Sequence, residues 1–192
     1  MGGHPSAPIH PSKRKAARCV ISVHGLEGSG KSTLVCSLLE AASSKNDPLA
    51  LWQPPPTEKC LGRSLQLKDT EFELFEVPFG CAYSYEPQEM VRLSLFVLDG
   101  TDFVQLPMAA KELCHLSKTH RWGQEDHPAL VIVTKQDVPE ASSPPELYEE
   151  LWLFLDMMQC PWSVQSSQML GVRVTNRSDY DAVLSWIAQS RN

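Results

Sequence analysis

The stretch Gly25-Leu26-Glu27-Gly28-Ser29-Gly30-Lys31-Ser32 decides the fold. It matches the phosphate-binding pattern G-x-x-x-x-G-K-[ST], and it lies between an apolar run, Cys19–Val23, and a stretch with helical periodicity. Glycines in such a loop let successive backbone N–H groups point at phosphate oxygens, and the N-terminus of the following helix adds positive charge. Lys31 is expected to contact the outer phosphates, so the sequence predicts a nucleoside-phosphate site.

Composition is consistent with one folded domain. The 192 residues are 42% hydrophobic and 21% charged, and the six cysteines show no spacing typical of disulfides or zinc, which favours free thiols. Residues 1–17 contain three prolines and little apolar content, so we expect a disordered arm followed by a domain over 18–192. No run is long enough for a membrane span and no secretory signal is visible, so a cytoplasmic location is expected.

The net charge of -6 is unevenly distributed, because the first 18 residues carry four basic side chains and no acid. The acidic remainder argues against a nucleic-acid partner, whereas the basic arm suits an anionic membrane surface. The start Met1-Gly2-Gly3-His4-Pro5-Ser6 fits M-G-x-x-x-[ST], a pattern for myristoylation of Gly2. One acyl chain plus basic residues would give peripheral anchoring, and the alternative is an unmodified soluble tail. The basic residues are Lys13, Arg14, Lys15 and Arg18.

Apolar strands alternate with helical patterns along the rest of the chain, which predicts a parallel sheet flanked by helices. Trp152, Phe154, Trp162 and Trp186 are expected to be core or packing aromatics, and the alternative is a platform for stacking. The predicted strands lie at Cys19–His24, in a hairpin around residues 65–74, and at Val91–Leu98, Ala129–Val133 and Met169–Thr175. The predicted helices cover Lys31–Ala42, residues 106–116, residues 144–158 and a C-terminal segment from about Ser178.

A second motif, Thr134-Lys135-Gln136-Asp137, directly follows an apolar strand, at the sheet edge where open α/β sheets bind ligands. Asp137 can accept hydrogen bonds from the N1–H and the exocyclic amine of guanine, a pair of donors that adenine lacks. The stem of Lys135 can pack over the base. Alone, T-K-x-D is a weak signal, but its order after the phosphate loop favours guanine recognition.

With both motifs in place, the chain resembles the ADP-ribosylation-factor-like (Arf-like) small GTPases over residues 16–190. Further matching segments are Leu95-Phe96-Val97-Leu98-Asp99-Gly100-Thr101-Asp102, Lys135-Gln136-Asp137-Val138-Pro139 and Ser185-Trp186-Ile187. The resemblance implies a P-loop NTPase fold of the small-GTPase type, with a mostly parallel six-stranded sheet flanked by helices. It also implies a monomeric switch that binds GTP or GDP with Mg²⁺ and signals to protein effectors through two loops, near residues 46–60 and 78–90.

The resemblance also assigns roles to single residues. Residues Gly25 to Thr33 would hold the phosphates, with the Ser32 hydroxyl on Mg²⁺. Thr134, Lys135 and Asp137 would form the base site, and Thr175 lies where a backbone N–H would meet the guanine oxygen. Thr57 would be a second Mg²⁺ ligand. The alternative interpretation is that Thr57 is an ordinary threonine in a Pro-rich loop.

The family pattern breaks at Glu76-Val77-Pro78-Phe79-Gly80, which replaces D-V-G-G-Q. Glu76 could still reach Mg²⁺ through water, but the water-orienting glutamine is replaced by Gly80. Gln88 is an alternative source of that contact. The sequence therefore predicts a guanine-nucleotide switch with weak or absent hydrolysis, and leaves its status as an enzyme open. The second hypothesis is a pseudo-GTPase adaptor with constitutive or no nucleotide, while a P-loop kinase would not explain the guanine motif.

Overall fold

The computed structural model describes residues 19–43, 61–80, 91–120, 122–123, 127–161 and 168–190. These residues form a six-stranded sheet in the order β2-β3-β1-β4-β5-β6, in which β2 runs antiparallel to β3 and the other pairs are parallel. The strands are β1 (Cys19–Gly25), β2 (Leu61–Leu67), β3 (Thr70–Glu76), β4 (Val91–Asp99), β5 (Ala129–Thr134) and β6 (Met169–Gly171). The helices are α1 (Lys31–Ala42), α2 (Leu106–His120), α3 (Pro144–Met157) and α4 (Arg177–Gln189), with a short 3-10 turn at Phe103–Gln105 before α2.

The sheet separates two apolar cores, each covered by a pair of helices. Side chains of β1 such as Ile21 and Val23 are fully buried against α1 and α4, while Phe96 and Val131 face α2 and α3. Helix α3 begins with a capping box, in which Glu146 accepts hydrogen bonds from the backbone N–H and hydroxyl of Ser143 at 2.8 Å each. The layers on both faces make this an α/β sandwich.

Strand register determines which residues meet at the functional edge. Val23 of β1 lies beside Glu76 of β3, and Asp99 of β4 lies beside Thr134 of β5. Because these strands are parallel, their carboxyl ends share one edge of the sheet. The loop between β1 and α1 leaves the sheet at that same edge.

The predicted fold class and the order of elements are confirmed, with two corrections. The last strand ends at Gly171 rather than Thr175, because the chain turns away after the Val172 N–H bonds the Val133 carbonyl at 2.8 Å. Trp152 is 43% exposed on α3 instead of packing in the core. The predicted arm over residues 1–17 and Trp162 lie outside the described residues.

The structure also bears on the expectations about the cysteines and about a membrane span. All four cysteines that the structure describes are free thiols. Within the described ranges, no helix is long and apolar enough to cross a membrane.

Candidate nucleotide-binding site

The phosphate loop connects β1 to α1 through glycines that no other residue could replace without strain. Gly25 has a φ of 139°, and a Cβ there would lie 2.3 Å from the Val97 carbonyl oxygen. Gly30, at φ 92°, is the N-cap of α1 and offers no side chain to cap the helix. The first turn of α1 also contains no acidic residue. The backbone N–H groups in the first turn of α1 therefore remain available to an anion.

Lys31 places a charge directly beneath this loop. Its Nζ donates to the carbonyl oxygens of Gly25 at 3.0 Å and Leu26 at 2.7 Å, and the residue is 8% exposed. Burial lowers the pKa of Lys31 because it disfavours the charged form, while the nearby carboxylates of Glu76 and Glu27 partly offset that shift. A phosphate group bound by the loop would add negative charge close to this ammonium.

Ser32 and Glu76 form the second polar pair of the phosphate side. The Ser32 hydroxyl donates to the Glu76 carboxylate, which is buried at the end of β3. The Val77 N–H bonds the Val23 carbonyl at 3.0 Å, which holds the end of β3 against β1.

This pair fits a magnesium ion. A hydroxyl and a carboxylate are hard oxygen donors, which Mg²⁺ prefers. The part of the chain that the structure describes contains no group of three or more His, Cys, Asp or Glu placed to hold a metal. A cation at Ser32 could also take oxygens from phosphate and water, as Mg²⁺ commonly does in nucleotide sites. The other predicted ligand, Thr57, lies outside the described residues.

Thr134 connects the loop predicted to recognise the base to the phosphate loop. Its hydroxyl lies 2.7 Å from the Ser29 carbonyl oxygen and 3.0 Å from the Leu98 carbonyl oxygen, and it is buried. A Cβ at Gly30 would lie 3.3 Å from the same hydroxyl. The two predicted motifs are therefore in direct contact.

Lys135 follows in a left-handed backbone conformation with a φ of 58°. Its ammonium pairs with the carboxylate of Asp99, which also accepts from the Thr101 N–H at 2.9 Å and hydroxyl at 2.7 Å. Burial alone would raise the pKa of Asp99, but these hydrogen bonds outweigh it and the pKa is lowered. The ion pair fixes the direction of the Lys135 stem.

Asp137 remains accessible. The residue is exposed, and one carboxylate oxygen accepts a long hydrogen bond of 3.5 Å from the Val174 N–H. An ionised carboxylate has about four acceptor sites, so the donors of a base can still be accommodated. Val174 adjoins Thr175, and both residues line the same groove as Asp137.

The turn that carries Thr175 is held by a network that the sequence analysis missed. The Arg173 guanidinium donates to both carboxylate oxygens of Asp179, at 2.8 and 2.9 Å, and the Asn176 amide adds a bond of 2.8 Å. The hydrogen bond from Arg173 is the main cause that lowers the pKa of Asp179. A basic residue six positions before an aspartate is too common a pattern to have indicated this pair.

An open groove joins the two motifs. Gly30 and Thr33 line it beside the phosphate loop, and Thr134, Lys135 and Asp137 line it at the second motif. The other residues lining it are Leu34, Cys36, Ser37, Glu40, Val172, Val174, Thr175 and Tyr180. Positions 33, 36, 37 and 40 share one face of α1, a spacing that could have indicated this wall from the sequence.

Some predicted site residues contribute only backbone or lie elsewhere. Leu26 is buried in the core with only its carbonyl at the site, and Glu27 and Gly28 are exposed at the tip of the loop. Gly2 and Gln88 lie outside the described residues.

The fold and the site define a P-loop nucleotide-binding protein. A family model described as the ADP-ribosylation factor family matches residues 9–191, so the chain belongs to that family. This membership supports the predicted GTP-binding switch of the Arf-like type. A search of curated proteins found no match.

Two solved structures show the same fold at low sequence identity. One is the Arl6 BBS3 small GTPase from Trypanosoma brucei with bound nucleotide analogue GppNp, at 18% identity and a TM-score of 0.66, which covers 92% of this chain and 100% of that chain. The other is the mammalian SRP receptor, at 16% identity and a TM-score of 0.64, with coverage of 89% of this chain and 99% of that chain.

Proposed function

We propose that this chain binds GTP and GDP with Mg²⁺ at the groove, acts as a guanine-nucleotide-dependent switch, and hydrolyses GTP slowly or not at all. The observation that carries the proposal is the hydrogen bond between Thr134 and the Ser29 carbonyl. It holds the loop suited to a base beside the loop suited to phosphates, so one nucleotide can occupy both.

Guanine selectivity depends on two side chains. The exposed carboxylate of Asp137 can accept from the N1–H and the exocyclic amine of guanine, whereas adenine offers no such pair of donors. The ion pair with Asp99 holds the Lys135 stem along the groove, where its methylenes can cover the base. Both contacts favour a guanine nucleotide over an adenine nucleotide.

Phosphate binding depends on the helix end and its charge. The uncapped N–H groups at the start of α1 can donate to phosphate oxygens, and Lys31 supplies a buried positive charge next to them. When Mg²⁺ is bound, it neutralises charge that builds on the outer phosphates. Ser32 and Glu76 are the described residues that would hold it.

Weak hydrolysis follows from residues 76–80. In this segment the Val77 N–H is used by the Val23 carbonyl, Pro78 has no N–H, and the 44% exposed Phe79 carries only an apolar ring. Gly80 has no side chain to orient an attacking water. No side chain in this segment after Glu76 can therefore position the water that GTP hydrolysis requires.

Equilibrium binding tests the proposal. Fluorescent GDP and a non-hydrolysable GTP analogue are titrated with and without Mg²⁺, with an ATP analogue as competitor. We expect guanine-selective, Mg²⁺-dependent binding that Lys31→Ala abolishes. Lys68→Ala is the matched control, because that lysine lies in the exposed turn between β2 and β3 and should leave binding unchanged.

Two outcomes would contradict the proposal. No binding by folded protein would favour the pseudo-GTPase adaptor, in which the fold is retained without nucleotide exchange. Single-turnover GTP hydrolysis at or above about 10⁻³ s⁻¹, in the range of intrinsic GTPases, would disprove the weak-hydrolysis part alone.

We also propose that Gly2 is myristoylated and that the chain associates peripherally with a cytosolic membrane face. The support is the N-terminal pattern and the basic residues that follow it. Intact mass of protein from a eukaryotic host should show the added acyl chain in the wild type and not in Gly2→Ala. An unmodified amino-terminus in the wild type would disprove it.

A further inference from the structure

One carboxylate holds both ends of the turn that follows β6. Residues 173–176 form a β-turn, which the Asn176 N–H closes by bonding the Arg173 carbonyl at 3.1 Å. Asp179, in the first turn of α4, accepts from the Arg173 N–H at 3.0 Å, in addition to its bonds from the Arg173 guanidinium. The Asn176 amide donates to the same carboxylate at 2.8 Å. The first and the last residue of the turn are therefore attached to one side chain.

The Asp179 carboxylate is well suited to hold this turn. Its side chain is 12% exposed, so solvent competes little for the two oxygens. The hydrogen bond from Arg173 is the largest cause that lowers the pKa of Asp179, so the carboxyl group is ionised at neutral pH. Hydrogen bonds to an ionised acceptor are about twice as strong as neutral ones. We therefore expect the conformation of residues 173–176 to depend on Asp179.

The middle of the turn lies beside the groove. Val174 and Thr175, its two central residues, both line the groove. The Val174 N–H reaches the Asp137 carboxylate at 3.5 Å, so the turn is within hydrogen-bonding range of the side chain predicted to recognise the base. The Thr175 N–H, in contrast, donates to no atom of the described residues. A backbone donor next to Asp137 is thus available to a ligand.

Guanine has an acceptor next to the donors that Asp137 would bind. The carbonyl oxygen O6 adjoins N1–H on the edge of the base, and the exocyclic amine lies on the other side of N1–H. When N1–H and the amine donate to Asp137, O6 is the next polar atom on that edge, where the neighbouring turn can supply a donor. Adenine carries an amine, which is a donor, in place of O6. It would therefore face the Thr175 N–H with a second donor.

We infer that Asp179 is a positioning residue for base recognition, which fixes the turn so that the Thr175 N–H meets O6 of guanine. The inference rests on the proposed function, because it requires a guanine nucleotide in the groove. It adds a second source of selectivity, since the turn rejects adenine independently of the Asp137 carboxylate. Asp179 is not among the described residues that line the groove, so it acts through the backbone of the turn.

The same contacts also have a purely structural interpretation. Asp179 lies in the first turn of α4, where a carboxylate stabilises a helix, and Asn176 caps this helix. A residue that only stabilised α4 would affect the binding of every guanine nucleotide equally. A residue that positions the Thr175 N–H affects most the nucleotides with a good acceptor at position 6 of the base. The choice of nucleotide therefore separates the two interpretations.

Calorimetric titration of the full chain with GDP and with 6-thioguanosine diphosphate tests the inference. Sulfur is a weaker acceptor than a carbonyl oxygen, while the donors that face Asp137 are the same in both nucleotides. We expect the wild type to bind GDP about 3- to 10-fold more tightly than the thio analogue, the range for one neutral hydrogen bond. Asp179→Asn should reduce this ratio to below about twofold, mainly by weakening the binding of GDP.

Asp181→Asn is the matched control, because it is the same substitution on the same helix, at an exposed residue that does not line the groove. Its ratio should equal that of the wild type. Arg173→Gln is a second variant, which removes the guanidinium bonds to Asp179 and keeps the bond from the backbone N–H. Its ratio should fall between those of the wild type and Asp179→Asn. Since Arg173 is exposed, this variant keeps the test decisive if Asp179→Asn does not fold.

Two results would overturn this inference alone. If Asp179→Asn weakened both nucleotides by the same factor, or left both unchanged, Asp179 would have no role in recognising position 6. A wild type that bound GDP and the thio analogue equally would show that the Thr175 N–H does not contact that position. Both results include binding of a guanine nucleotide, so they leave the proposed function intact. Absence of GDP binding by folded wild-type protein would contradict the proposed function and this inference together.

Discussion

The Thr134 hydroxyl lies 2.7 Å from the carbonyl oxygen of Ser29, a residue 105 positions earlier in the chain. The same hydroxyl lies 3.0 Å from the Leu98 carbonyl oxygen. Since a hydroxyl has one proton, the two carbonyls share it. One buried side chain thus couples the phosphate loop, the end of β4 and the loop predicted to recognise the base, and the shape of the groove between these segments depends on it.

Replacing Thr134 with valine should loosen this junction. The substitution keeps the shape of the side chain and leaves two buried carbonyls without their donor, so we expect the free energy of unfolding to fall by about 1–3 kcal/mol. GDP affinity should fall as well, because the two halves of the groove are no longer held together. Denaturant unfolding and fluorescent GDP titration measure the two effects.

Thr119→Val is the control for that substitution. The exposed Thr119 hydroxyl donates to the His115 carbonyl at 2.8 Å within α2, far from the groove, so its loss should change neither quantity appreciably. Equal effects of the two substitutions would contradict the role assigned to Thr134.

Much of the fold could be predicted because its signals are local. The phosphate loop is contiguous, α1 was delimited by its apolar spacing, and the capping box at Ser143 and Glu146 marks the start of α3. Parallel order then follows from strands alternating with helices. The segment Thr134–Asp137 was located in the same way, as a short motif after a buried strand, and its role in recognising a base stays a prediction.

What could not be predicted depends on contacts between distant segments. The link from Thr134 to Ser29, and the wall that Tyr180 contributes to the groove, exist only once α1, α4 and β5 have packed. The exposure of Trp152 was missed for a related reason. An aromatic residue on an amphipathic helix is usually buried, and only the position of the helix at the surface shows otherwise.

Glu76→Gln should weaken the effect of Mg²⁺ on nucleotide retention. The amide keeps the shape of the side chain but removes the negative charge that accepts from the Ser32 hydroxyl and favours a cation there. A charge-assisted hydrogen bond contributes about 1.5–3 kcal/mol, so we expect GDP release in Mg²⁺ to become about 10 to 100 times faster. Stopped-flow release with and without a chelator measures this change.

A second Ser–Glu pair serves as the control for Glu76. On the exposed side of the hairpin the Ser64 hydroxyl donates to Glu71 at 2.7 Å, so Glu71→Gln removes the same type of bond away from the site. Its release rates should match the wild type. If Glu76→Gln retained the wild-type response to the chelator, the assignment of Glu76 to the cation would be wrong.

Asp137→Asn should exchange guanine for xanthine selectivity. Xanthine carries a carbonyl where guanine carries its exocyclic amine, so the asparagine amide can donate where the aspartate could only accept. We expect GDP affinity to fall by about 100-fold or more, from the loss of hydrogen bonds to a charged group, while xanthosine diphosphate binding rises. Competition against fluorescent GDP measures both.

Asp181→Asn provides the matched substitution, since Asp181 is exposed on α4 and does not line the nucleotide groove. It should bind GDP like the wild type. A variant Asp137→Asn that kept full GDP affinity would show that Asp137 does not contact the base.

His24 should make stability depend on pH. It is 4% exposed at the end of β1, with its ring 4.5 Å from that of Trp122. Burial holds the pKa of His24 well below its ordinary value, and the positive charges of His120, His127 and Lys31 lower it further.

The folded protein therefore keeps His24 neutral at a pH where the unfolded chain binds a proton. The contribution of His24 to the free energy of unfolding is complete above about pH 6.5. It is lost, at up to about 1.4 kcal/mol per pH unit, as the pH falls toward the pKa that His24 has in the folded protein. We expect His24→Gln to reduce the slope of unfolding free energy against pH in that window. Denaturant unfolding at a series of pH values measures it, with the exposed His115→Gln as control. If His24 stays neutral in the folded protein, removing it must reduce the dependence of the unfolding free energy on pH. A variant His24→Gln with the same slope as the wild type would therefore show that other groups cause the loss of stability in acid.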